Sequence, residues 1–275
     1  MNGVWSPARE TTTIGLPMKT KFLLATLLCF LPLGLSSAQT VDEVIKKAID
    51  ARGGIDKIKA VRSERITGRV AFSQGLEGTV VLELERPHKL YSEITVEGRK
   101  VLRAYDGKSA GWTVNPFTEN KDVVEMSADE LKEMPDESDL DGPLVDYKSK
   151  GAQVALVGKE NSDGKAVYRL KITTKSGEIR SYVIDGATFL TIKWEGTRKV
   201  GNELLPWESL LSDYREVQGL KFPFKIDQGS PGTEYKQTLT VDKVEINPKI
   251  DEAHFARPIA AQAATSATGP AARKP

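Results

Sequence analysis

ITGRVAFSQGLEGTVVLELERPHKLYSEITV, residues 66–96, alternates apolar and polar positions with a period of two. Ile66, Gly68, Val70 and Phe72 form one run, Val80, Leu82 and Leu84 a second, and Leu90, Ile94 and Val96 a third. A period of two sends alternate side chains to opposite faces of a sheet, so each run reads as a strand with one dry face. Ser73-Gln74-Gly75, Arg86-Pro87-His88 and Glu97-Gly98 separate the runs. Connections this short join antiparallel neighbours, which makes the stretch a meander.

Outward from this meander the same grammar continues. Asp106-Gly107 divides the next pair of runs, the second holding Trp112 and Val114 before Asn115-Pro116 stops it. Further strands are predicted around 154–157, 167–172, 179–184, 190–194, 204–214, 220–226 and 235–246, with Gly- and Asp-rich turns between them. Pro206 within 204–214 marks that strand as an edge or a bulge. Helices are few. Thr40 and Glu43 form a capping box ahead of Val41, Val44, Ile45, Ala48 and Ile49, and Gly53-Gly54 closes that helix. A short helix is expected at 55–59, and Ser127 with Glu130 caps another around Leu131 and Met134, before an acidic stretch at 135–141 that reads as a solvated linker.

The fold class is therefore α+β, mainly antiparallel β. At ~4.8 Å per strand, about eleven strands make a sheet some 53 Å wide, whereas a helix covers a strip of about 10 Å. Three helices leave most of a flat apolar face wet. The sheet has to split into a sandwich or curl into an incomplete barrel around lid or plug helices. Aromatic residues in the strands, Trp112, Trp194 and Trp207 among them, either pack that interior or line a pocket for an apolar ligand.

Signals for catalysis fail one by one. Gly107-Lys108-Ser109-Ala110-Gly111 spells a nucleophile elbow, but it sits between two strands where the elbow needs a strand and a helix. His88 and His254 are the only histidines, and both read as surface or edge residues. Glu137, Asp139, Asp141 and Gly142 begin like a calcium loop, yet Lys148 stands where the closing glutamate belongs. No enzyme, cofactor or metal is expected. A formal net charge of +1 gives no attraction for nucleic acid.

Residues 1–38 read as an N-terminal extension followed by a cleaved signal peptide starting at Met18. Lys19 and Lys21 give its basic start, 22–35 its apolar stretch and Ser36-Ser37-Ala38 its cleavage site. The 14 apolar-region positions, which include Pro32 and Gly34, fall short of the ~20 a membrane span requires. Cys29, the single cysteine, would leave with the signal, and Leu27-Leu28 before it does not suit a lipidation site. The mature chain would fold over 39–258, and 259–275, rich in Ala and without aromatic residues, reads as a disordered tail.

The segment Ser212-Asp213-Tyr214-Arg215-Glu216-Val217-Gln218-Gly219-Leu220-Lys221-Phe222-Pro223 resembles a strand-turn-strand motif of bacterial outer-membrane lipoprotein-sorting proteins, the LolA/LolB-like superfamily. Gly158-Lys159-Glu160 with 163–170, Val244 to Pro248 with Ile250, Asp251 and Phe255, and the opening helix ending Arg52-Gly53-Gly54 are similar to other parts of that group. The resemblance implies a half-barrel at 39–258 whose helices lid a hydrophobic cavity for acyl chains. It further implies a periplasmic carrier or chaperone that binds an acylated lipoprotein or other lipid and docks transiently with inner- or outer-membrane proteins; a monomer is the expected state. The alternative on the same fold is a non-catalytic envelope sensor or interaction scaffold with its cavity filled. The expected cavity and lid residues are Val44, Ile45 and Ile49 on the helix; Ile66, Val70, Phe72, Val80, Leu82, Leu84, Leu90 and Ile94 on the first strands; and Trp112, Leu170, Ile192 and Trp194 beyond them. Arg65, Arg69 and Arg103 are all candidates for the functional arginine the resemblance implies. The longer chain and the acidic insert depart from the typical carrier.

Overall fold

A computed structural model describes residues 39–258 except 121, 163, 201–202 and 235, and the side chains of 199 and 200 are also left undescribed. The expected signal segment and tail lie outside the described residues. Among the described residues thirteen strands form one antiparallel sheet. Six precede the crossover: β1 (Ser63–Phe72), β2 (Glu77–Glu85), β3 (Lys89–Val96), β4 (Arg99–Asp106), β5 (Gly111–Val114) and β6 (Val124–Glu125). Seven follow it: β7 (Gln153–Ser162), β8 (Lys165–Thr173), β9 (Ile179–Asp185), β10 (Thr191–Val200), β11 (Glu203–Val217), β12 (Leu220–Gly229) and β13 (Lys236–Ile246). Only the two-residue β6 lacks a counterpart among the strands expected from the sequence.

The sheet order is β6-β5-β4-β3-β2-β1-β13-β12-β11-β10-β9-β8-β7. Two meanders are thus fused along one non-local seam, the pairing of β1 with β13, and the sheet's free edges are β6 and β7. At Gly68 the seam shifts register, where a Cβ would fall 2.3 Å from the Thr240 carbonyl oxygen. Only glycine permits that approach of two backbones. Pro206 proves to lie opposite Thr197 of β10, while β12 pairs with β11 only from Glu208 onward. Its missing N–H therefore falls where an otherwise interior strand is bare on one side.

Three α-helices cover the sheet: α1 (Val41–Arg52), α2 (Ile55–Ala60) and α3 (Ala128–Glu137), with a short 3-10 helix at Glu252–Phe255. Both expected capping boxes form; Glu43 N–H donates to Thr40 Oγ1 at 3.3 Å, and Glu130 N–H to Ser127 Oγ at the same distance. Gly53 ends α1 at φ 133°, and a Cβ there would fall 2.4 Å from the Gly219 carbonyl oxygen, so only glycine lets the two backbones approach this closely. That contact seats the helix end on the β11–β12 turn.

The helices also report how far the sheet bends. Glu137 of α3 pairs with Arg103 of β4 at 2.9 Å, and the adjacent Asp136 lies beside Thr174, the residue after β8. Strands β4 and β8 are nine steps apart in the sheet order, a separation of about 43 Å were the sheet flat. Two neighbouring residues reach both, so the sheet curls and α3 spans its open side. The result is an unclosed, curved antiparallel sheet with helices across its concave face.

Two apolar clusters fill the concavity. The larger joins Ile58, Met134 and Val145 to Leu84, Leu90, Phe222 and Val244. The smaller packs Val44, Ile45 and Ala48 of α1 on Tyr168, Leu170 and Ile184. Burying each of these large side chains contributes about 1.5–3 kcal/mol. Ile49 packs against both clusters.

Candidate functional site

Between the two clusters a cavity of about 350 Å³ is left under the helices. Its roof is α1 (Ala48, Ile49, Arg52), α2 (Ile58) and the crossover loop 141–145. Its floor is the concave face of five strands, with Ile66 from β1, Tyr182 from β9, Trp194 from β10, Leu211 and Tyr214 from β11, and Phe222 from β12 among the contributors. Curling turns the apolar strand faces towards one hollow, and the helices above it leave this part of the hollow unfilled. Ile49, Ile66 and Trp194 of the expected residues line it.

The other expected residues are placed elsewhere. Val44, Ile45 and Leu170 interlock in the smaller cluster; Leu84 and Leu90 belong to the larger, and Leu82 packs on it. Val70 is buried outside both clusters, and Phe72, Val80, Ile94, Trp112 and Ile192 are half-buried away from the cavity lining. Of the candidate arginines, Arg65 pairs with Glu83 at 2.6 Å, Arg69 with Asp242 at 2.9 Å and Arg103 with Glu137. The arginine at the cavity is Arg52.

Polar groups gather at one end. Arg52 donates Nη1–H to the Asp141 carbonyl at 2.6 Å and Nη2–H to the Leu140 carbonyl at 3.2 Å. Among the described residues no carboxylate is within ion-pair distance of it. Asp141 is committed to Arg86, whose Nη2 lies 2.5 Å from Asp141 Oδ1. Burial favours the acid form of Asp141 more than any one partner opposes it, but the Arg86 bond and the charges of Arg86, Lys150 and Lys59 together hold the carboxyl below its ordinary range. Arg86 in turn donates to the Val61 and Ile58 carbonyls. Tyr214 donates its hydroxyl to the Thr191 carbonyl at 2.5 Å, and burial pushes the phenol up to about 12.

Glu64 is the exception to this pairing. It is 7% exposed, and among the described residues its carboxyl has no hydrogen-bond partner. Its cross-strand neighbours are Leu84 and Ile246. Burial pushes its carboxyl up to about 7, against a weaker opposing pull from Arg52. Periodicity does carry a trace of it: position 64 is in phase with Ile66, Gly68 and Val70, so a charged residue stands on the dry face.

The look-alike motifs resolve into structure. Asp106 Oδ1 accepts from the backbone N–H groups of Lys108, Ser109 and Ala110 at 2.8–3.0 Å, which makes 107–111 the β4–β5 hairpin turn. The acidic stretch is not a solvated linker, because Glu137, Asp139 and Asp141 each pair with a basic side chain, Arg103, Lys150 and Arg86 respectively. The pairs to Arg103 and Arg86 pin the crossover to β4 and the β2–β3 turn, while the Lys150–Asp139 pair braces the crossover internally. His254 is tied more firmly than a surface residue: its Nδ1 lies 2.6 Å from buried Glu83, and its ring stacks on Tyr91. Among the described residues no helix is long and apolar enough to cross a membrane.

No protein-family profile matches the sequence, and no curated protein matches it either. Solved structures do match. A DUF1329 family protein from Desulfovibrio piger ATCC 29098 superposes with a TM-score of 0.52 at 14% identity, over 79% of this chain and 98% of that one. A LolA superfamily protein from Nitrosomonas europaea gives a TM-score of 0.49 at 14% identity, over 79% and 97% of the two chains. The chain shares the fold of the first, and its curved open sheet with covering helices is the architecture that the sequence resemblance implied.

Proposed function

We propose that the protein is a carrier of the bacterial periplasm that shelters an acyl chain, from a lipoprotein or another lipid, beneath α1 and the 141–145 loop. The observation that carries this reading is the cavity itself: about 350 Å³ of space, roofed by helices and floored by apolar strand residues. That volume is above the ~300 Å³ at which ligand pockets begin. The sequence resemblance and the export signal expected at 18–38 support the compartment. Each methylene withdrawn from water contributes about 0.8 kcal/mol, so an acyl chain binds without any directional contact. Loading and release then require α1 and the loop to move, which a ligand achieves only by binding the open and closed states differently.

Native mass spectrometry of the protein purified from cell envelopes tests this. Adducts of lipid mass, lost on delipidation and regained when lipid is returned, are the expected result. A bare mass that stays unchanged when lipids are offered would overturn the carrier and favour the sensor or scaffold.

A further inference from the structure

The carrier reading explains the apolar walls of the cavity and leaves its polar end without a task. An unpartnered carboxyl beneath a helical roof costs stability, because desolvation is not offset by any bond. Arg52 adds a second unfilled valence. A guanidinium has five N–H donors, and two of them serve the carbonyls of Leu140 and Asp141. The charge itself has no anion beside it among the described residues.

Five titratable groups share the cavity with Glu64: Arg52 from α1, Lys221 from β12, Tyr214 from β11, Tyr182 from β9 and Asp141 from the loop, and of these Arg52 acts on its charge. The cavity residues from α2 and β10, Ile58, Thr191 and Trp194, do not titrate, nor do Leu84 and Ile246 beside Glu64 on β2 and β13. Asp141 is spent on Arg86, and among the described residues Lys221 has only a loose ion-pair contact, with Glu216 at 4.0 Å. The fixed charge left over is positive.

Resting on the carrier reading, we infer that the polar end recognises the carboxylate of a single-chain fatty acid, with Arg52 supplying the charge and Glu64, in its acid form, donating its O–H. A carboxylate there accepts from both groups and completes the hydrogen bonding that each lacks. An ammonium head would meet Arg52 as a like charge, and a neutral hydroxyl would leave that charge uncompensated. The modest volume fits one chain. Recognition also becomes proton-linked, since an ionised Glu64 would repel the ligand. With its carboxyl held at about 7, Glu64 is about 90% acid at pH 6 and about 3% at pH 8.5, so the apparent affinity for a carboxylate falls about 30-fold across that range.

Delipidated full-length mature protein, titrated with submicellar decanoate, decanol and decylamine at pH 6 and pH 8.5, tests the inference, with Trp194 fluorescence and calorimetry as readouts. Decanoate should bind most tightly and weaken about 30-fold between the two pH values. Glu64→Gln, which keeps a neutral donor, should bind decanoate at pH 8.5 as tightly as the parent does at pH 6. Arg52→Gln should erase most of the preference for decanoate over decanol, and Arg52→Lys should restore part of it. Far-UV circular dichroism checks that each variant folds, and the parent pH profile stands by itself if one does not. Equal, pH-independent binding of decanoate and decanol would overturn the head-group assignment while leaving the acyl cavity intact, as would a preference for decylamine. Binding of none of the three would overturn the carrier reading instead.

Discussion

Glu64 has a consequence for stability that is separable from any ligand. Its carboxyl is raised from an ordinary 4.5 to about 7 on folding, so between those values the unfolded chain has already lost the proton that the folded chain retains. Stability contributed by the acid form is fully present below about pH 4.5, declines as pH rises towards 7, and is absent above it. The expected loss is about 3 kcal/mol, at 1.36 kcal/mol per unit. Glu64→Gln should therefore be nearly neutral at pH 4 and stabilising by up to about 3 kcal/mol at pH 8, read from urea denaturation of both proteins at each pH. Equal midpoint differences at the two pH values would show that Glu64 is solvated. At this scale the sequence was only partly legible. Ile49, Ile66 and Trp194 follow from periodicity, whereas Arg52 ends a helix like any C-terminal basic residue, and its role depends on a loop 89 residues away.

At the scale of elements, the crossover is the part that periodicity misread. Its acids look hydrophilic in one dimension; Lys150 meets Asp139 within the crossover, and only the tertiary fold brings Arg86 and Arg103 within reach of the others. Asp141→Asn should cost about 1–3 kcal/mol at pH 7, because it strips the charge from a partly buried pair that Arg86 also uses to hold α2. Asp141 has a lowered carboxyl, so its contribution is present above the unfolded value near 4 and is lost as pH falls through the folded one. The parent and the variant should accordingly converge in denaturant midpoint below pH 3. Hydrogen exchange should show the loop at 140–145 opening faster in the variant. The starts of α1 and α3, in contrast, were readable from their capping boxes, since those signals are local.

For the whole molecule, the width of about eleven strands requires the sheet to curl or to split, and no local pattern could say which, or which strands meet. The β1–β13 seam joins the first strand to the last, and its only sequence mark is Gly68. Gly68→Val should cost at least about 3 kcal/mol, because its side chain collides with the Thr240 carbonyl on the one seam that unites the meanders. Gly158→Val, at the register shift of edge strand β7 with open space around its Cα, should cost less than about 0.5 kcal/mol. Limited proteolysis should cut the Gly68 variant between the meanders and spare the Gly158 variant. The clasp over the cavity adds a kinetic corollary. Arg52 holds the loop, Asp141 of that loop holds Arg86, and Arg86 holds the carbonyls of α2 and the residue after it. A chain of bonds in series lets α1, α2 and the loop lift only together, so a stopped-flow trace of ligand entry should relax with one rate constant, and weakening any link should speed entry and escape alike.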